Sequence, residues 1–253
     1  MSNTTEYFSM QGRVAIGVRN ADGSRAPARW VYDASTLEWD FQVDRDEKIE
    51  SYSGARGLAG TMAKKKAMTV KLTLGQINDS NAALSIAGKT VQVTGGTATD
   101  ENIGDVVPGD MVALDNVLVT SLVLSGTAPA TPALDTDYTV NPDTGVVTFL
   151  TACTGVKASY TYGAYSIVTA LTAKPQDLYV LFDGMNTVDG ATLLARGEVH
   201  RIQFDPTNTL SLINDTFADM QLTGAARIDP VRISDAKYGG YARLMLIDPP
   251  AVP

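Results

Sequence analysis

Two alternating segments separated by a long charged stretch constrain this chain more than any other feature. Residues 36–44 place apolar side chains at every second position, and residues 67–74 repeat the pattern. A period of two is typical of a strand with one buried face and one solvated face. The sequence therefore predicts two strands whose apolar faces pack on a common core.

The stretch between these strands, residues 45–66, reads R-D-E-K-I-E-S-Y-S-G-A-R-G-L-A-G-T-M-A-K-K-K. Most hairpin loops take about two to five residues, and a much longer loop is usually functional or disordered. Its first half is acidic and its end is basic, so we predict a loop that contacts another molecule or subunit through opposite charges. The candidate contact residues are Asp46, Glu47, Lys48, Glu50, Tyr52, Arg56, Lys64, Lys65 and Lys66.

The rest of the chain reads mainly as short strands separated by turns, which predicts a mainly β protein. Residues 79–87 are the best helix candidate, with Asp79 or Ser80 as the N-cap and Gly88 at the C-terminal end. One short helix among many strands fits a helix that flanks a β-sheet.

Charge is distributed unevenly along the chain, whose formal net charge is −8. Residues 99–165 hold eight acids and one base and carry their own hairpin signal, N-P-D-T-G. We therefore predict a discontinuous β domain, residues 1–98 and 166–253, with a small β domain of residues 99–165 inserted into it. An acidic chain argues against a protein that grips nucleic acid, and a run of three lysines without interleaved aromatics is weak evidence for one.

The last third of the chain offers few candidates for chemistry. His200 is the only histidine and lies two residues from Glu198 on a predicted strand, which leaves a catalytic pair open although a structural histidine is the commoner case. Residues 210–224 predict one more strand or strand pair, and the polar tail from Asp229 predicts a loosely held terminus.

We predict no catalytic, cofactor or metal site in this chain. No paired His or Cys spacing typical of zinc occurs, and the single Cys153 excludes an internal disulfide. No signal peptide is evident, and the longest apolar run is interrupted by proline, glycine and acids, so we expect a protein made in a cytoplasm and not inserted in a membrane.

Several stretches are informative through their order and spacing along the chain. They are Y-F-S-M-Q-G-R-V-A-I-G, A-R-W-V-Y, L-E-W-D-F-Q-V, E-K-I-E-S-Y-S-G-A-R, M-T-V-K-L-T-L, F-D-G-M-N-T, H-R-I-Q-F-D-P and L-S-L-I-N-D-T-F-A-D-M-Q-L-T-G. Together they resemble the major tail protein, or tail tube protein, of long-tailed bacteriophages, and the resemblance covers roughly residues 6–98 and 162–228.

This resemblance implies a sandwich or barrel of two packed β-sheets with a flanking helix and no enzymatic activity. Six copies would continue their sheets into a ring, and rings would stack into the tail tube of a virion, through which DNA passes without specific binding. The implied partners are further copies of the chain and the tape measure, tail terminator and tail-tip proteins. A non-contractile, siphophage-type tail is favoured, because the inserted domain would need room outside the tube.

The polar face of the strand predicted over residues 36–44 would line the channel if it faces the inside of such a tube. Glu38, Asp40 and Asp44 would then form an electronegative wall that repels DNA phosphates. An ordinary solvated sheet face is the competing interpretation, and Lys71 on the partner strand weakens the wall.

A different class of function stays open beside the tube subunit. The insert could be a carbohydrate- or cell-surface-binding β module of a phage tail, with tyrosines that stack on sugar rings. Its candidate residues are Tyr138, Tyr160, Tyr162 and Tyr165.

Overall fold

The computed structural model describes residues 7–248, and this part of the chain contains sixteen strands and one helix. The predicted fold class, mainly β with one short helix, is confirmed. No helix among the described residues is long and apolar enough to cross a membrane. The elements are β1 (Met10–Val18), β2 (Arg29–Trp30), β3 (Ala34–Ile49), β4 (Leu58–Leu74), α1 (Asp79–Ser85), β5 (Lys89–Val93), β6 (Gly96–Val106), β7 (Met111–Ala113), β8 (Val119–Ser125), β9 (Tyr138–Asn141), β10 (Val146–Phe149), β11 (Cys153–Tyr162), β12 (Tyr165–Thr169), β13 (Leu178–Asn186), β14 (Leu194–Asp205), β15 (Met220–Ala226) and β16 (Ala242–Ile247).

The chain divides into two compact units. The larger comprises the described parts of residues 1–89 and 169–253, and the smaller comprises residues 90–168. The predicted insert, residues 99–165, lies within the smaller unit, which begins nine residues earlier and ends three residues later. The difference arises because β5 and β12 pair with each other as a two-stranded ribbon that brackets the insert.

The larger unit is built on one eight-stranded sheet, in which seven strands follow the order β2-β1-β13-β14-β15-β4-β3 and the eighth, β16, pairs with β14. Strand β14 is shared by two branches of this sheet. Its first half pairs with β16, from Leu194 to Val199, and its last residues pair with β15, from Ile202 to Asp205. This change of partner lets the two branches diverge from a common strand.

The sheet curls over its own apolar face. Trp39 of β3 lies three strands away from β14, yet its indole contacts Gly197 so closely that a Cβ there would come within 3.1 Å of the ring. Buried residues from β1, β4, β13, β14 and β15 share the enclosed core. Strands β2 and β3 are not paired with each other in the described residues, so the curled sheet is not a closed barrel.

Helix α1 follows β4 after a short turn. Its N-cap is Asn78, whose side chain accepts a hydrogen bond from the backbone N–H of Asn81 at 2.9 Å, so the predicted caps Asp79 and Ser80 lie one and two residues too late. At the other end Ala87, not Gly88, takes the left-handed conformation, with φ of 47°. The helix is anchored by Asn81, which is buried and binds the carbonyl of Val31.

The smaller unit has a hydrophobic core of its own. Two three-stranded sheets, β7-β10-β9 and β6-β11-β8, contribute its buried residues. The predicted turn between β9 and β10 is present, with Gly145 at φ of 68° and its N–H donating to the carbonyl of Asn141. Cys153 is fully buried in this core as a free thiol.

Candidate subunit-contact surface

The β3–β4 hairpin begins as the sequence predicts. Leu37 lies opposite Leu72 and Trp39 opposite Val70, so the apolar residues of both strands share one face. Leu72 and Val70 are buried in the core of the larger unit. We call this part of the hairpin, residues 34–44 and 67–74, the root.

Beyond the root, the predicted loop is mostly a continuation of the same two strands. The ladder runs on to the pair Ile49 and Leu58, and only residues 50–57 form the connection. The prediction of a loop over residues 45–66 is therefore wrong for all but its tip. The sequence hides these strands because they bury neither face, so no apolar alternation marks them, and because two register shifts break the period. We call residues 45–66 the arm.

The arm projects from the core with its side chains in solvent. Every residue from Phe41 to Lys66 is exposed except Glu50. At the usual rise of about 3.3 Å per residue, the nine steps from Ala67 to Leu58 extend about 30 Å. Among these exposed residues are large apolar ones: Phe41 (67% exposed), Ile49 (60%), Tyr52 (88%), Leu58 (60%) and Met62 (63%).

The charged residues predicted for contact all lie on the arm, which carries six bases and three acids. Lys64 forms an ion pair with Asp46 across the ladder at 3.0 Å, and both side chains are more than half exposed. At this pair the opposite charges of the two ends meet within the hairpin itself, and the predicted contact with another subunit stays a prediction. The arm as a whole keeps a net charge of +3.

Glu38, Asp40 and Asp44 lie on the face of β3 that points away from the core. Lysines of β4 lie among them: Lys71 is opposite Glu38 and 4.0 Å from the Asp40 carboxylate, and Lys65 is opposite Asp44. This face is consequently of mixed charge in one copy of the chain. Its assignment to the channel of a tube stays a prediction.

Strand β3 also presents a long open edge. Its 16 residues pair with β4 on one side and with no strand of the described residues on the other. An exposed edge of this length is a template for pairing with another chain. The open edge and the exposed apolar side chains of the arm therefore lie on the same hairpin.

The junction of root and arm is held by the C-terminal part of the chain. The hydroxyl of Tyr241 donates to the carbonyl of Lys66 at 2.8 Å. Tyr241 closes a segment, residues 227–241, that begins directly after β15. Two buried carboxylates hold this region: Asp229 fixes the segment itself, and Glu198 fixes β16, the strand that follows it.

Glu198 is the first of these carboxylates and is surrounded by three guanidinium groups. Arg243 donates two hydrogen bonds to it, at 3.0 and 3.1 Å, Arg25 one at 3.1 Å, and Arg196 pairs with it at 2.6 Å. Burial alone would raise the pKa of Glu198, but the hydrogen bonds and charges of Arg243 and Arg25 outweigh it and lower the pKa to about 2. Glu198 is therefore an ionised structural group.

His200 lies beside this cluster and is fully buried. A nitrogen of Arg25 lies 2.9 Å from its Nδ1, and because a guanidinium only donates, Nδ1 accepts and Nε2–H donates to the carbonyl of Tyr238 at 2.8 Å. Burial lowers the pKa of His200, which keeps the ring neutral. Both ring nitrogens are engaged in internal hydrogen bonds, and the side chains of His200 and Glu198 are fully buried.

Asp229, the second carboxylate, overturns the prediction of a loose tail. It is fully buried and binds Arg19 through two hydrogen bonds, at 2.7 and 2.9 Å. Nearby, Arg232 and Arg243 stack on the ring of Tyr238. The tail from Asp229 to the end of β16 is therefore anchored through partners far away in the sequence, which no local pattern reveals. The last residues, 249–253, lie outside the described part of the chain.

The predicted strand over residues 210–224 begins only at Met220. Residues 206–219 form a loop whose largest apolar side chains are almost completely exposed: Leu212 (82%), Ile213 (94%) and Phe217 (102%). Sequence reasoning missed these residues because it assigns apolar side chains to a core. The Asn-Asp pair at positions 214 and 215 was the available signal for a turn.

The tyrosines proposed as a sugar platform are not a surface group. Tyr138 and Tyr160 are buried in the core of the smaller unit, and Tyr162 and Tyr165 are half-buried. The hydroxyl of Tyr160 bonds Glu101, and that of Tyr165 donates to the side-chain oxygen of Asn116 at 3.0 Å. Packing and internal hydrogen bonds account for all four.

The sequence matches a protein family over nearly its whole length. The matching family is described as "Protein of unknown function UCP028589", and the match covers residues 7–245, which include both units. No curated protein matches the chain significantly. The chain therefore belongs to the family of unknown function UCP028589.

Proposed function

We propose that this protein is the subunit of a tube, built from stacked six-membered rings, in the tail of a long-tailed bacteriophage. The observation that carries the proposal is the arm, a hairpin extension of about 30 Å with exposed apolar side chains and no core of its own. A two-stranded ribbon is at best marginally stable alone in water. Such an extension is expected where a second molecule covers it.

The open edge of β3 supports assembly by identical copies. Head-to-tail contacts between copies generate closed rings or open filaments, depending on whether the rotation closes. A ring that continues the sheet from copy to copy removes the exposed edge from every subunit. The proposal adds to these physical arguments the resemblance of the sequence to tail tube proteins.

In this role the protein is structural and not catalytic. Its partners are further copies of itself, with tape measure, terminator and tail-tip proteins at the ends of the tube. The DNA that moves through the channel would meet a face of mixed charge, on which Glu38, Asp40 and Asp44 alternate with lysines. Such a face offers no continuous strip of basic side chains that would bind the DNA phosphates.

The competing function, a carbohydrate-binding module, has less support. It relied on tyrosines of the smaller unit, and two of the four are buried. Glycan binding by the purified protein, in the absence of any self-association, would favour it over the tube.

Electron microscopy and sedimentation of the purified chain test the proposal. Across a series from micromolar to millimolar concentration, we expect rings or hollow tubes of uniform width. A matched variant, I49S/L58S/M62S, removes apolar side chains of the arm and is expected to keep the monomer fold but not assemble. A wild-type chain that remains monomeric at every concentration and yields no cross-linked dimer would contradict the proposal.

A further inference from the structure

The larger unit carries two exposed apolar surfaces at opposite ends of its sheet. The first is the arm, which continues β3 and β4 past Met68. The second is the loop between β14 and β15, which enters β15 at Met220, and Met220 pairs with Leu74 at the other end of β4. At about 3.3 Å per residue, the base of the arm at Lys66 lies about 26 Å from Leu74 along the strand, and its tip at Leu58 lies about 50 Å away.

These two surfaces have opposite charge. The arm carries a net charge of +3, with Lys64, Lys65 and Lys66 at its base. The segment 205–219 contains three acids, Asp205, Asp215 and Asp219, and no base, for a net charge of −3. All three acids are exposed, and none of them has an ion pair within the described residues.

An apolar recess lies at the same end as the acidic loop. It is a cavity of about 510 Å³ between α1 and the ends of β1, β13 and β14. Its walls include apolar side chains, among them Val18, Leu84, Leu178, Phe204 and Pro206. We call segment 205–219 and this recess together the receiving surface.

We propose that the receiving surface of one copy binds the arm of the next copy. The inference rests on the proposed function and names the two surfaces that join consecutive subunits. Apolar side chains of the arm contact Leu212, Ile213 and Phe217. The lysines at the foot of the arm contact the three acids of segment 205–219. A single copy cannot make this contact with itself, because the two surfaces lie at opposite ends of one hydrogen-bonded sheet.

The arrangement has a direct physical consequence for assembly. Each copy offers one arm and one receiving surface at opposite ends, which is a heterologous contact that can repeat without limit. Exposed apolar patches of this kind are typical of interaction sites, and opposite charges select the correct pairing and speed the encounter. The contact is expected to weaken as salt rises, because exposed charges are screened over about 8 Å at physiological ionic strength.

Charge reversal tests the pairing, and the chain offers symmetric variants. K64E/K65E/K66E turns the arm from +3 to −3, and D205K/D215K/D219K turns the loop from −3 to +3. Each variant alone places like charges at the contact, so we expect its critical concentration for assembly to rise about tenfold or more, which corresponds to about 1.4 kcal/mol per contact.

Mixing the two variants is the decisive step. The acidic arm of one then meets the basic loop of the other, and the unmodified arm meets the unmodified loop, so the mixture is expected to assemble where neither component does. The control D143K/D183K/D189K makes the same aspartate-to-lysine change as the loop variant, at three exposed positions outside both surfaces. It is expected to assemble like wild type. Urea unfolding of each variant establishes that the substitutions leave the fold intact.

The outcomes separate this inference from the proposed function. A loop variant that assembles like wild type, or a mixture that stays as inert as its components, overturns the pairing and leaves the tube subunit standing. A wild-type chain that never assembles refutes the proposed function itself. A mixture that assembles when neither variant assembles by itself supports both the pairing and the proposed function.

Discussion

The root and the arm of the β3–β4 hairpin share one hydrogen-bonded ladder and differ almost completely in burial. In the root, Val70, Leu72 and Leu74 are buried, and the opposite residues of β3 pack over them. In the arm, every residue except Glu50 is exposed. Backbone pairing therefore defines the strands in both halves, but only the root gains the burial that stabilises a folded chain. The arm would gain the same burial only if another molecule covered it.

The largest effect is expected from a matched pair of leucine truncations. Leu72→Ala empties a site in the centre of the core and should lower the free energy of unfolding by about 3 kcal/mol. Leu58→Ala removes the same atoms from the arm and should change it by less than about 0.5 kcal/mol. Urea denaturation of the monomers measures both. Similar losses at the two positions would show that the arm is already buried in the free chain.

Acid is expected to weaken the anchoring of the larger unit. The unfolded state protonates Glu198 near its ordinary pKa of 4.5, whereas the folded state, with arginines at the carboxylate, holds that pKa at about 2. The stability that Glu198 contributes is complete above pH 4.5 and is lost as pH falls toward 2, about 3 kcal/mol in all.

His200 should add an earlier step to the same acid loss. Its pKa is lowered in the folded state from the ordinary 6.5, so the unfolded chain takes up the proton first and stability begins to fall below pH 6.5. Unfolding measured from pH 8 to pH 3 checks both steps. In His200→Gln the slope between pH 6.5 and pH 5 should flatten, and an unchanged slope would contradict the assignment.

A smaller effect is expected at the junction of root and arm. Tyr241→Phe removes the hydrogen bond to the carbonyl of Lys66 and should cost about 1 kcal/mol of unfolding free energy. Hydrogen exchange should also accelerate at the amides of the first arm residues. Tyr162→Phe, in the smaller unit, serves as a control of the same chemistry and should leave exchange in the arm unchanged.

The smallest effect is expected from the ion pair within the arm. Lys64→Ala removes the contact to Asp46, but both side chains are more than half exposed, and exposed pairs contribute little. The free energy of unfolding should change by less than about 0.5 kcal/mol. A loss above 1 kcal/mol would mean that the arm ladder is a cooperative part of the monomer.

The same contrast explains what the sequence could and could not predict. Strand patterns were recognised where one face is buried, as in the root, because burial imposes the alternation of Leu37 and Trp39 with polar neighbours. The strands of the arm were missed because pairing without burial leaves no such pattern. The stretch that contains Phe217 is the converse case. Its apolar residues predict a strand, whereas in the structure they lie in a loop and face solvent instead of a core.

Anchoring by buried charge was also beyond local pattern reading. Arg19 and Asp229 are 210 residues apart in the sequence, and the arginines around Glu198 come from a loop and two strands. The sequence marked Glu198 and His200 as neighbours on one strand, and the structure assigns them a structural role through partners that spacing cannot identify. The predicted contact candidates all lie on the arm, some in its strands and Glu50, Tyr52 and Arg56 in its connecting loop, and their role in contact stays a prediction.

The burial of Cys153 has a practical consequence for following assembly in real time. As the chain's only thiol, enclosed in the core of the smaller unit, it should resist maleimide reagents while that unit is folded. A cysteine introduced at an exposed site such as Ser53 would then take up a fluorophore alone, with no need to remove the native thiol. If the unmodified chain is labelled slowly, the rate of labelling at Cys153 measures how often the smaller unit opens.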